Sequence, residues 1–112
     1  EIITLFGCGG DRDKNKRPIM AKISENFSKK TIITNDNPRY ENPEEIINQI
    51  ISGFKTQNYK IISDRKKALI ESIQKLDKNQ VLIVLGKGIE NYQIIKNQKL
   101  YHSDLEIIES LL

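Results

Sequence analysis

The sequence predicts an α/β domain built on a mostly parallel β-sheet, with helices on both faces and a C-terminal β-hairpin. Four short apolar runs, each followed by polar residues and then by an apolar pattern of helical period, are typical of buried parallel strands that alternate with helices. The short connections between them favour right-handed crossovers within one sheet. With 112 residues, the chain is long enough for one hydrophobic core and too short for two ordinary domains.

Four strands and a first helix follow from these patterns. The strands are expected at Ile2–Phe6, Thr31–Thr34, Lys60–Ser63 and Val81–Leu85. The first helix is expected to begin at Pro18, because the fixed φ angle of proline suits the first helical position. Met20, Ile23 and Phe27 fall at helical spacing and are expected to form its apolar face.

The second predicted helix has the clearest start signal in the sequence. Asn42 is expected to be its N-cap, with Pro43 at the first helical position and Glu45 at the third. Its apolar residues are Ile46, Ile47, Ile50, Ile51 and Phe54. A third helix is expected from about Arg65 to Leu76, capped by Asp64 or Ser63.

The C-terminal region predicts a hairpin followed by a fourth helix. The stretch NYQIIKNQKLYHS has strand character on both sides of Lys96 and Asn97, where we expect the turn. Ser103 and Glu106 form a capping-box pattern that marks a helix start. This helix is expected to bury Leu105, Ile108 and Leu112.

Composition excludes several classes of function. The net charge of +3 combines 18 basic with 15 acidic residues, and the few aromatic residues do not interleave with basic clusters, so we expect no nucleic-acid partner. No apolar stretch approaches the roughly 18–20 residues needed to span a bilayer, so we expect no membrane partner. The single Cys8 forms no internal disulfide, which fits a reducing, cytoplasmic location. With only one histidine, His102, a Cys/His metal site lacks ligands, and we expect His102 to be structural or exposed.

The N-terminal stretch EIITLF enters directly as a strand-like segment. It has no basic lead and no small-residue cleavage site, so it does not predict a signal peptide. We expect the chain to be one domain of a longer protein.

Candidate site residues lie in the loops that follow the strands, because open α/β sheets bind ligands at the carboxyl ends of their strands. The four loops are Gly7–Arg17, Asn35–Asn42, Ser63–Arg65 and Gly86–Glu90. We expect all four on one rim. Three of them are rich in charge or glycine.

The glycine-rich loop FGCGGDRDKNKRP matches neither of two known phosphate motifs. The last glycine of a dinucleotide fingerprint would fall on Arg12, and the Gly-Lys-Ser/Thr of a P-loop is missing. Its glycines still permit close approach of an anion near a helix start, whereas the alternative is a flexible basic turn.

The other two loops combine turn-forming residues with unexplained charges. A turn accounts for the aspartate, asparagine and proline of DNPR, but not for Arg39, whose rigid fork suits a carboxylate. In GKGIE, Gly86 and Gly88 permit close approach while Lys87 and Glu90 supply opposite charges. A tight turn is the alternative for GKGIE.

In order, GCGGDRDKNKRPIM, TNDNPR, Asp64–Arg65 and GKGIENYQ closely resemble the C-terminal domain of the Mur ligases, over essentially the whole chain. The resemblance implies a Rossmann-like domain over residues 1–112, with the N-terminal and central ATP-binding domains of that family outside this chain. It implies an ATP-dependent amide ligase of peptidoglycan biosynthesis that activates a carboxylate as an acyl phosphate. ATP and Mg²⁺ would be bound mainly by the central domain, so we expect this domain alone to be inactive and to hold no catalytic or metal-binding residue.

The resemblance also assigns substrate-binding residues. DNPR marks the diaminopimelate-adding members, GDRD supplies an arginine, and the family motif GKGHE supplies its first glycine and its acid. The positions are Arg12, Asp36, Asn37, Pro38, Arg39, Gly86 and Glu90. Ile89 replaces the family histidine, a change expected to alter packing or hydrogen bonding behind Glu90. The implied partners are meso-diaminopimelate, UDP-MurNAc-L-Ala-D-Glu and the upstream domains of the same ligase.

The chemistry of these side chains fits that substrate. Diaminopimelate differs from lysine by a carboxylate beside its distal amine, so its recognition needs a cation and an acid together. Arg39, with Arg12, can bind the carboxylate, and Glu90 or Asp36 can take the ammonium. With lysine the arginine would lack its anion, at a cost of several kcal/mol, or roughly a thousandfold in selectivity. The alternatives are a divergent ligase for another amino acid and a non-catalytic binding module.

Overall fold

The computed structural model describes residues 1–112 and contains a parallel sheet, four helices and a separate hairpin. The parallel strands are β1 (Ile2–Phe6), β2 (Lys30–Ile33), β3 (Tyr59–Ile61) and β4 (Val81–Val84). The helices are α1 (Lys16–Phe27), α2 (Pro43–Ile51), α3 (Arg65–Gln74) and α4 (Asp104–Ser110). The hairpin pairs β5 (Tyr92–Ile95) with β6 (Gln98–Tyr101). The expected α/β class and every expected element are confirmed, and the strand ends differ from the prediction by one or two residues.

The four-stranded sheet is parallel throughout and has the order β3-β2-β1-β4. The chain runs from β1 to β2 to β3 in one direction and then crosses back to β4 on the other side of β1. The loops that leave β1 and β4 therefore diverge, which opens a crevice at the carboxyl ends of these two strands. This crevice is where the topology places a ligand.

Helices cover both faces of the sheet, as predicted. Phe6 and Ile33 face α1 and α2 and form one core cluster with Ile46 and Ile50. The alternate residues of the same strands face α3 and α4: Leu5, Ile32 and Ile62 pack with Ala68 and Leu69. This alternation follows from the two-residue period of a strand.

Helix α1 differs from the prediction in its start and in its buried face. It begins at Lys16, so that Pro18 occupies the third helical position. Ala21 and Ser24 face the core, and the Ser24 hydroxyl lies 2.6 Å from that of Thr31 on β2. These small side chains let the helix approach the sheet closely. The expected apolar face, Met20, Ile23 and Phe27, is exposed by 37%, 54% and 75% and borders an apolar groove of about 250 Å³ beside Ile83 and Leu85.

The caps of α2, α3 and α4 follow the sequence signals. Asn42 Oδ1 accepts a hydrogen bond from Glu44 N at 2.8 Å, and Asp64 Oδ1 accepts one from Lys67 N at 3.3 Å. Ser103 Oγ accepts one from Glu106 N at 3.2 Å. In α4 the expected buried face is partly wrong: Leu105 and Leu112 are exposed, whereas Ile107 and Ile108 pack on the core. The reason is that α4 spans only two turns, and only Ile107 and Ile108 reach the core cluster that contains Leu5 and Leu69.

The hairpin turns at Lys96, which adopts a left-handed φ of 56°. It does not join the parallel sheet; it contacts the loop after β2 through a bridge between Ile95 and Arg39 and through hydrogen bonds to Asp36 O and Asn37 Oδ1. None of the four helices has the length and apolar composition that crossing a membrane requires.

Candidate functional site

A cleft of about 350 Å³ lies at the predicted crevice between the loops of β1 and β4. Its lining includes the glycine-rich loop, the start of α1 and three of the seven predicted site residues, Arg12, Asp36 and Gly86. Pro38 and Arg39 line an adjacent cleft of about 320 Å³ that the hairpin borders. Five of the seven predicted residues therefore line two neighbouring depressions, whereas Asn37 and Glu90 line neither of them.

The glycines of the first loop allow it to pack directly on the DNPR loop. Gly10 N donates a hydrogen bond to Asn37 O at 2.7 Å. A Cβ atom on Gly10 would lie 1.8 Å from Pro38 O, and one on Gly7 would lie 2.2 Å from Thr34 O. Any side chain at these positions would push the two loops apart, so the glycine-rich loop is a fitted structural element and not a flexible basic turn.

Arg39 is held by its backbone and by part of its guanidinium group. It adopts a φ of 53°, a left-handed conformation that is costly for a residue other than glycine and that occurs often at functional sites. Arg39 N donates to Ile94 O at 3.0 Å, and Lys96 N donates to Arg39 O at 2.6 Å. Arg39 Nη1 donates to Gly10 O at 3.1 Å, which leaves Nε and Nη2 for a ligand.

The side chains of Arg12 and Arg39 both lie close to Gly9. A Cβ atom on Gly9 would be 3.0 Å from Arg39 Nη1 and 3.5 Å from Arg12 Cγ. Arg12 is exposed, and its one hydrogen bond within the protein, from Nη1 to Asp11 O, measures 3.3 Å. Two arginine side chains thus pass close to one glycine, and their positive charges favour a carboxylate there.

Lys87 lies at the centre of the site, with a side chain that is 0% exposed. Its Nζ is 2.8 Å from Asp36 Oδ1, and it donates to Asn37 Oδ1 at 2.9 Å and to Tyr92 O at 3.0 Å. Glu90 Oε1 lies farther away, at 3.8 Å. A buried ammonium group requires such partners because desolvation disfavours its charge. Sequence reasoning treated Lys87 only as one charge of the GKGIE loop and missed this role.

The two candidate acids differ in their exposure. Both point an oxygen at the Lys87 ammonium, Asp36 Oδ1 at 2.8 Å and Glu90 Oε1 at 3.8 Å, and both oxygens are buried without a hydrogen-bond partner. The Glu90 side chain is 37% exposed, against 13% for Asp36. Glu90 is therefore the more accessible acid for a cation. Gly86 and Gly88 both have positive φ angles, of 110° and 52°, which favour glycine.

Arg17 is buried beside the glycine-rich loop and stabilises it, a role that the sequence did not reveal. Its Nη1 lies 2.5 Å from Glu41 Oε2, its Nη2 donates to Glu41 Oε1 at 2.9 Å, and Nη2 also donates to Gly9 O at 2.8 Å. Hydrogen bonding from Arg17 lowers the pKa of Glu41 to about 2. The pair ties the start of α1 to the segment that follows DNPR.

A second buried arginine supports the other side of the cleft. Arg65 binds Asp104 through Nε at 2.9 Å and Nη2 at 2.7 Å, and it donates to Asn35 O and Leu85 O at the ends of β2 and β4. His102 Nε2 lies 2.7 Å from Asp104 Oδ1. Burial would raise the pKa of Asp104, but hydrogen bonds from Arg65 and His102 outweigh it and hold this pKa below its usual value. His102 is buried and structural, one of the two expected alternatives.

Cys8 lies half-buried in the first cleft, 3.7 Å from the sulfur of Met20. Burial raises the pKa of its thiol to about 11, with a smaller opposing effect from Arg17. The thiolate fraction at neutral pH is therefore small, and Cys8 is not suited to act as a nucleophile.

Ile89, which replaces the family histidine, has a side chain that is 91% exposed and is not packed behind the Glu90 carboxylate. The reason is the turn at Gly88, whose left-handed φ directs the next side chain into solvent. Glu90 Oε1 is buried without a hydrogen-bond partner, and the effect of the replacement stays a prediction.

Comparisons with known proteins agree on one family. A family model described as "Mur ligase, glutamate ligase domain" matches residues 1–88. The chain is 47% identical over 111 residues to "UDP-N-acetylmuramoyl-L-alanyl-D-glutamate--2,6-diaminopimelate ligase 1" of Clostridium acetobutylicum, a match that covers 99% of this chain and 23% of that protein. It is 46% identical over 111 residues to the ligase of the same description, without the final number, from Helicobacter hepaticus, with 98% and 24% covered.

A solved structure gives the same result. It is titled "Structure of UDP-N-acetylmuramoyl-L-alanyl-D-glutamate--2, 6-diaminopimelate ligase" and matches with a TM-score of 0.92 and 33% identity over 98% of this chain and 23% of that one. The chain thus spans about a quarter of the length of the relatives it matches. Together, the fold, the DNPR and GKGIE loops and these similarities show that the chain belongs to the Mur ligase family.

Proposed function

We propose that this chain is the amino-acid-binding domain of an ATP-dependent ligase that adds meso-diaminopimelate to UDP-MurNAc-L-Ala-D-Glu in peptidoglycan biosynthesis, in the cytoplasm. One observation carries the proposal: Arg39 is fixed in a strained conformation against Gly9 and Gly10, with two guanidinium nitrogens left for a ligand. The names of the relatives support the same substrate.

The distal centre of diaminopimelate carries a carboxylate and an ammonium group on one carbon. In this proposal Arg39 donates from Nε and Nη2 to the carboxylate, and the exposed Arg12 adds a second positive charge nearby. Glu90 accepts the ammonium, because its side chain is more exposed than that of Asp36, which lies closest to Lys87. Such charge-assisted hydrogen bonds are directional and strong, so they fix the orientation of the amino acid.

This domain would orient the amino acid so that its other amine attacks the activated carboxylate. ATP and Mg²⁺ would supply that activation as an acyl phosphate, and we assign both to the upstream domains. The described residues contain no group of three His, Cys, Asp or Glu side chains placed to hold an ion. Because we assign the activation step to the upstream domains, we place no catalytic residue in this chain and expect it to be inactive without them.

The direct test replaces Arg39 in the full-length ligase. We expect Arg39→Ala to lower the ratio of kcat/KM for diaminopimelate over lysine by at least about 100-fold, because the distal carboxylate loses its bidentate partner. Arg39→Lys keeps the charge without the fork and should recover only part of the ratio. Lys66→Ala, an exposed position on α3, is the matched control. Unchanged selectivity in Arg39→Ala would refute the assigned role.

Two alternatives are separable by experiment. A divergent ligase for another amino acid would prefer lysine or ornithine when these are assayed beside diaminopimelate. A non-catalytic module would lack, upstream of Glu1, a phosphate-binding loop and the lysine-bearing central domain of the family. We also expect this chain alone to bind diaminopimelate weakly, since the upstream domains would complete the site; tight binding in calorimetry would contradict that.

A further inference from the structure

We propose that Lys87 is a positioning residue that fixes the side-chain amide of Asn37 as a hydrogen-bond donor toward the amino acid substrate. This inference rests on the proposed function, because it assigns Lys87 a role in binding that substrate. Lys87 is enclosed by Asp36, Asn37 and Tyr92 and has no exposed side-chain surface, so it supports the site without touching the substrate.

The argument starts from the amide of Asn37. Its Oδ1 accepts two hydrogen bonds, one from Lys87 Nζ and one from Ile94 N, both at 2.9 Å. An ammonium group and a backbone amide can only donate, so the oxygen must face both of them. The Nδ2 group then points to the opposite side, away from Lys87 and Ile94. Exchanging the two ends of the amide would set donor against donor at both contacts.

Charge balance explains why a lysine is needed at this position. Asp36 lies 2.8 Å from the Lys87 ammonium, so the two opposite charges largely cancel inside the protein. Without Lys87, the carboxylate of Asp36 would be the nearest strong acceptor beside Asn37 and would attract the Nδ2 donor inward. Lys87 thus keeps Nδ2 available and removes a negative charge that would repel a substrate carboxylate.

The position of Lys87 in the fold makes this effect specific to the site. Lys87 follows β4, Asn37 follows β2, and Ile94 and Tyr92 belong to the hairpin, so one ammonium group joins three separate segments. Lys87 and Asn37 are 50 residues apart in the chain. A substitution of Lys87 is therefore expected to change the orientation of the Asn37 side-chain amide more than it changes the β-sheet.

The experiment uses the full-length ligase and a variant that does not leave a buried charge. Lys87→Met alone strands Asp36, so it is combined with Asp36→Asn, which removes both charges together. In this double variant we expect KM for diaminopimelate to rise at least 10-fold, with kcat within about 3-fold and with KM for ATP and the UDP-linked substrate unchanged. Asp36→Asn alone measures the separate contribution of Asp36, which lines the cleft, and the double variant should raise KM beyond that of this single change. Lys66→Met, an exposed position on α3, is the control that should leave KM unchanged.

A thermodynamic cycle tests whether Lys87 acts through Asn37. Asn37→Ala should raise KM by a similar factor, and adding the Lys87→Met and Asp36→Asn pair to it should produce little further change. Effects that multiply would overturn the proposal, since they would mean that Lys87 and Asn37 act separately. An unchanged KM in the double variant would also overturn it.

A second measurement is independent of activity. The Ile94 amide, which donates to Asn37 Oδ1, should lose at least 10-fold of its protection from hydrogen exchange in the double variant. The His102 amide, which donates to Asn91 O beside the same hairpin, should keep its protection. Unchanged protection at Ile94 would refute the positioning role. If the wild-type ligase does not use diaminopimelate, the proposed function fails, while the exchange result still decides the role of Lys87.

Discussion

The two buried arginines on opposite sides of the cleft perform similar chemistry in different surroundings. Arg65 binds Asp104 and the backbone carbonyls of Asn35 and Leu85, and all of its guanidinium nitrogens have partners. Arg17 binds Glu41, Gln49 and Gly9, but its Nε is buried without a partner. Every guanidinium nitrogen of Arg65 therefore has a hydrogen-bond partner, whereas one nitrogen of Arg17 has none.

The carboxylate partners also differ in their access to water. Asp104 has 4% of its side chain exposed and a second partner in His102. Glu41 has 9% exposed and is approached by Lys14 from the solvent side, at 3.9 Å. Loss of the arginine would therefore strand Asp104 in the interior, whereas Glu41 could turn toward water. We infer that Arg65 mainly stabilises the fold, while Arg17 mainly holds the glycine-rich loop in the shape that the ligand site requires.

The largest expected effect is on global stability, through Arg65. Arg65→Met should lower the free energy of unfolding by about 3–5 kcal/mol, because it leaves Asp104 buried and uncompensated. Urea denaturation of the chain measures this, with Lys66→Met, an exposed neighbour on α3, as the control that should stay within about 0.5 kcal/mol. Combining Arg65→Met with Asp104→Leu should recover part of the loss. A loss below about 1 kcal/mol would remove the contrast between the two arginines.

A smaller loss is expected at Arg17. Arg17→Met should cost about 1.5–3 kcal/mol, the usual range for hydrogen bonds to charged groups, because Glu41 can be rehydrated. The exposed Lys16→Met is the matched control on the same helix turn. In addition, the amide of Asp11, which donates to Glu41 Oε1 at 3.1 Å, should exchange faster in Arg17→Met and not in Arg65→Met. If Arg17→Met were as destabilising as Arg65→Met, Glu41 would have to be as enclosed as Asp104.

The smallest effect is the dependence of stability on pH through Glu41. Its pKa is lowered from 4.5 to about 2 by Arg17, so the folded state binds its proton less tightly than the unfolded chain. The corresponding stabilisation is fully present above pH 4.5 and is lost as the pH falls toward 2, by on the order of 1–2 kcal/mol after allowance for solvent screening. Glu41→Gln should flatten the unfolding curve against pH in this window.

The exposed Glu44→Gln serves as the control for that pH series. Asp104 contributes in the same direction, because its lowered pKa also favours the folded state once the carboxyl group is ionised. A Glu41→Gln variant with the same acid sensitivity as the wild-type chain would show that the Arg17 pair does not contribute there, and that other carboxyl groups with lowered pKa values, such as Asp104 and Glu71, carry the acid response.

The sequence correctly predicted the features that depend on interactions between residues close together in the chain. Asn42, Asp64 and Ser103 cap helices through side chains that act within two or three residues. The short apolar runs gave the strands to within one or two residues, because burial on both faces demands continuous apolar character. Arg39 was predicted to be a candidate site residue because a turn explains its neighbours in DNPR but does not require an arginine.

The misses share a different cause. Helical spacing showed that Met20, Ile23 and Phe27 lie on one face of α1, but not that the small residues Ala21 and Ser24 form the face that contacts the sheet. Which face of α1 is buried depends on the distance between the helix and β2. This distance cannot be read from the spacing of apolar residues in the sequence. In α4, likewise, helical spacing did not show that Ile107 packs on the core while Leu105 and Leu112 are exposed.

By itself, the sequence determined the α/β class, the order of the elements, the caps and the loops that follow the strands, because each follows from patterns a few residues long. Only the tertiary structure decided which basic residues are buried. Arg17, Arg65 and Lys87 resemble ordinary surface charges in the sequence, yet their partners arrive from 24, 39 and 50 residues away. A buried charge is stable only when such partners surround it, and that condition is set by the folded chain as a whole.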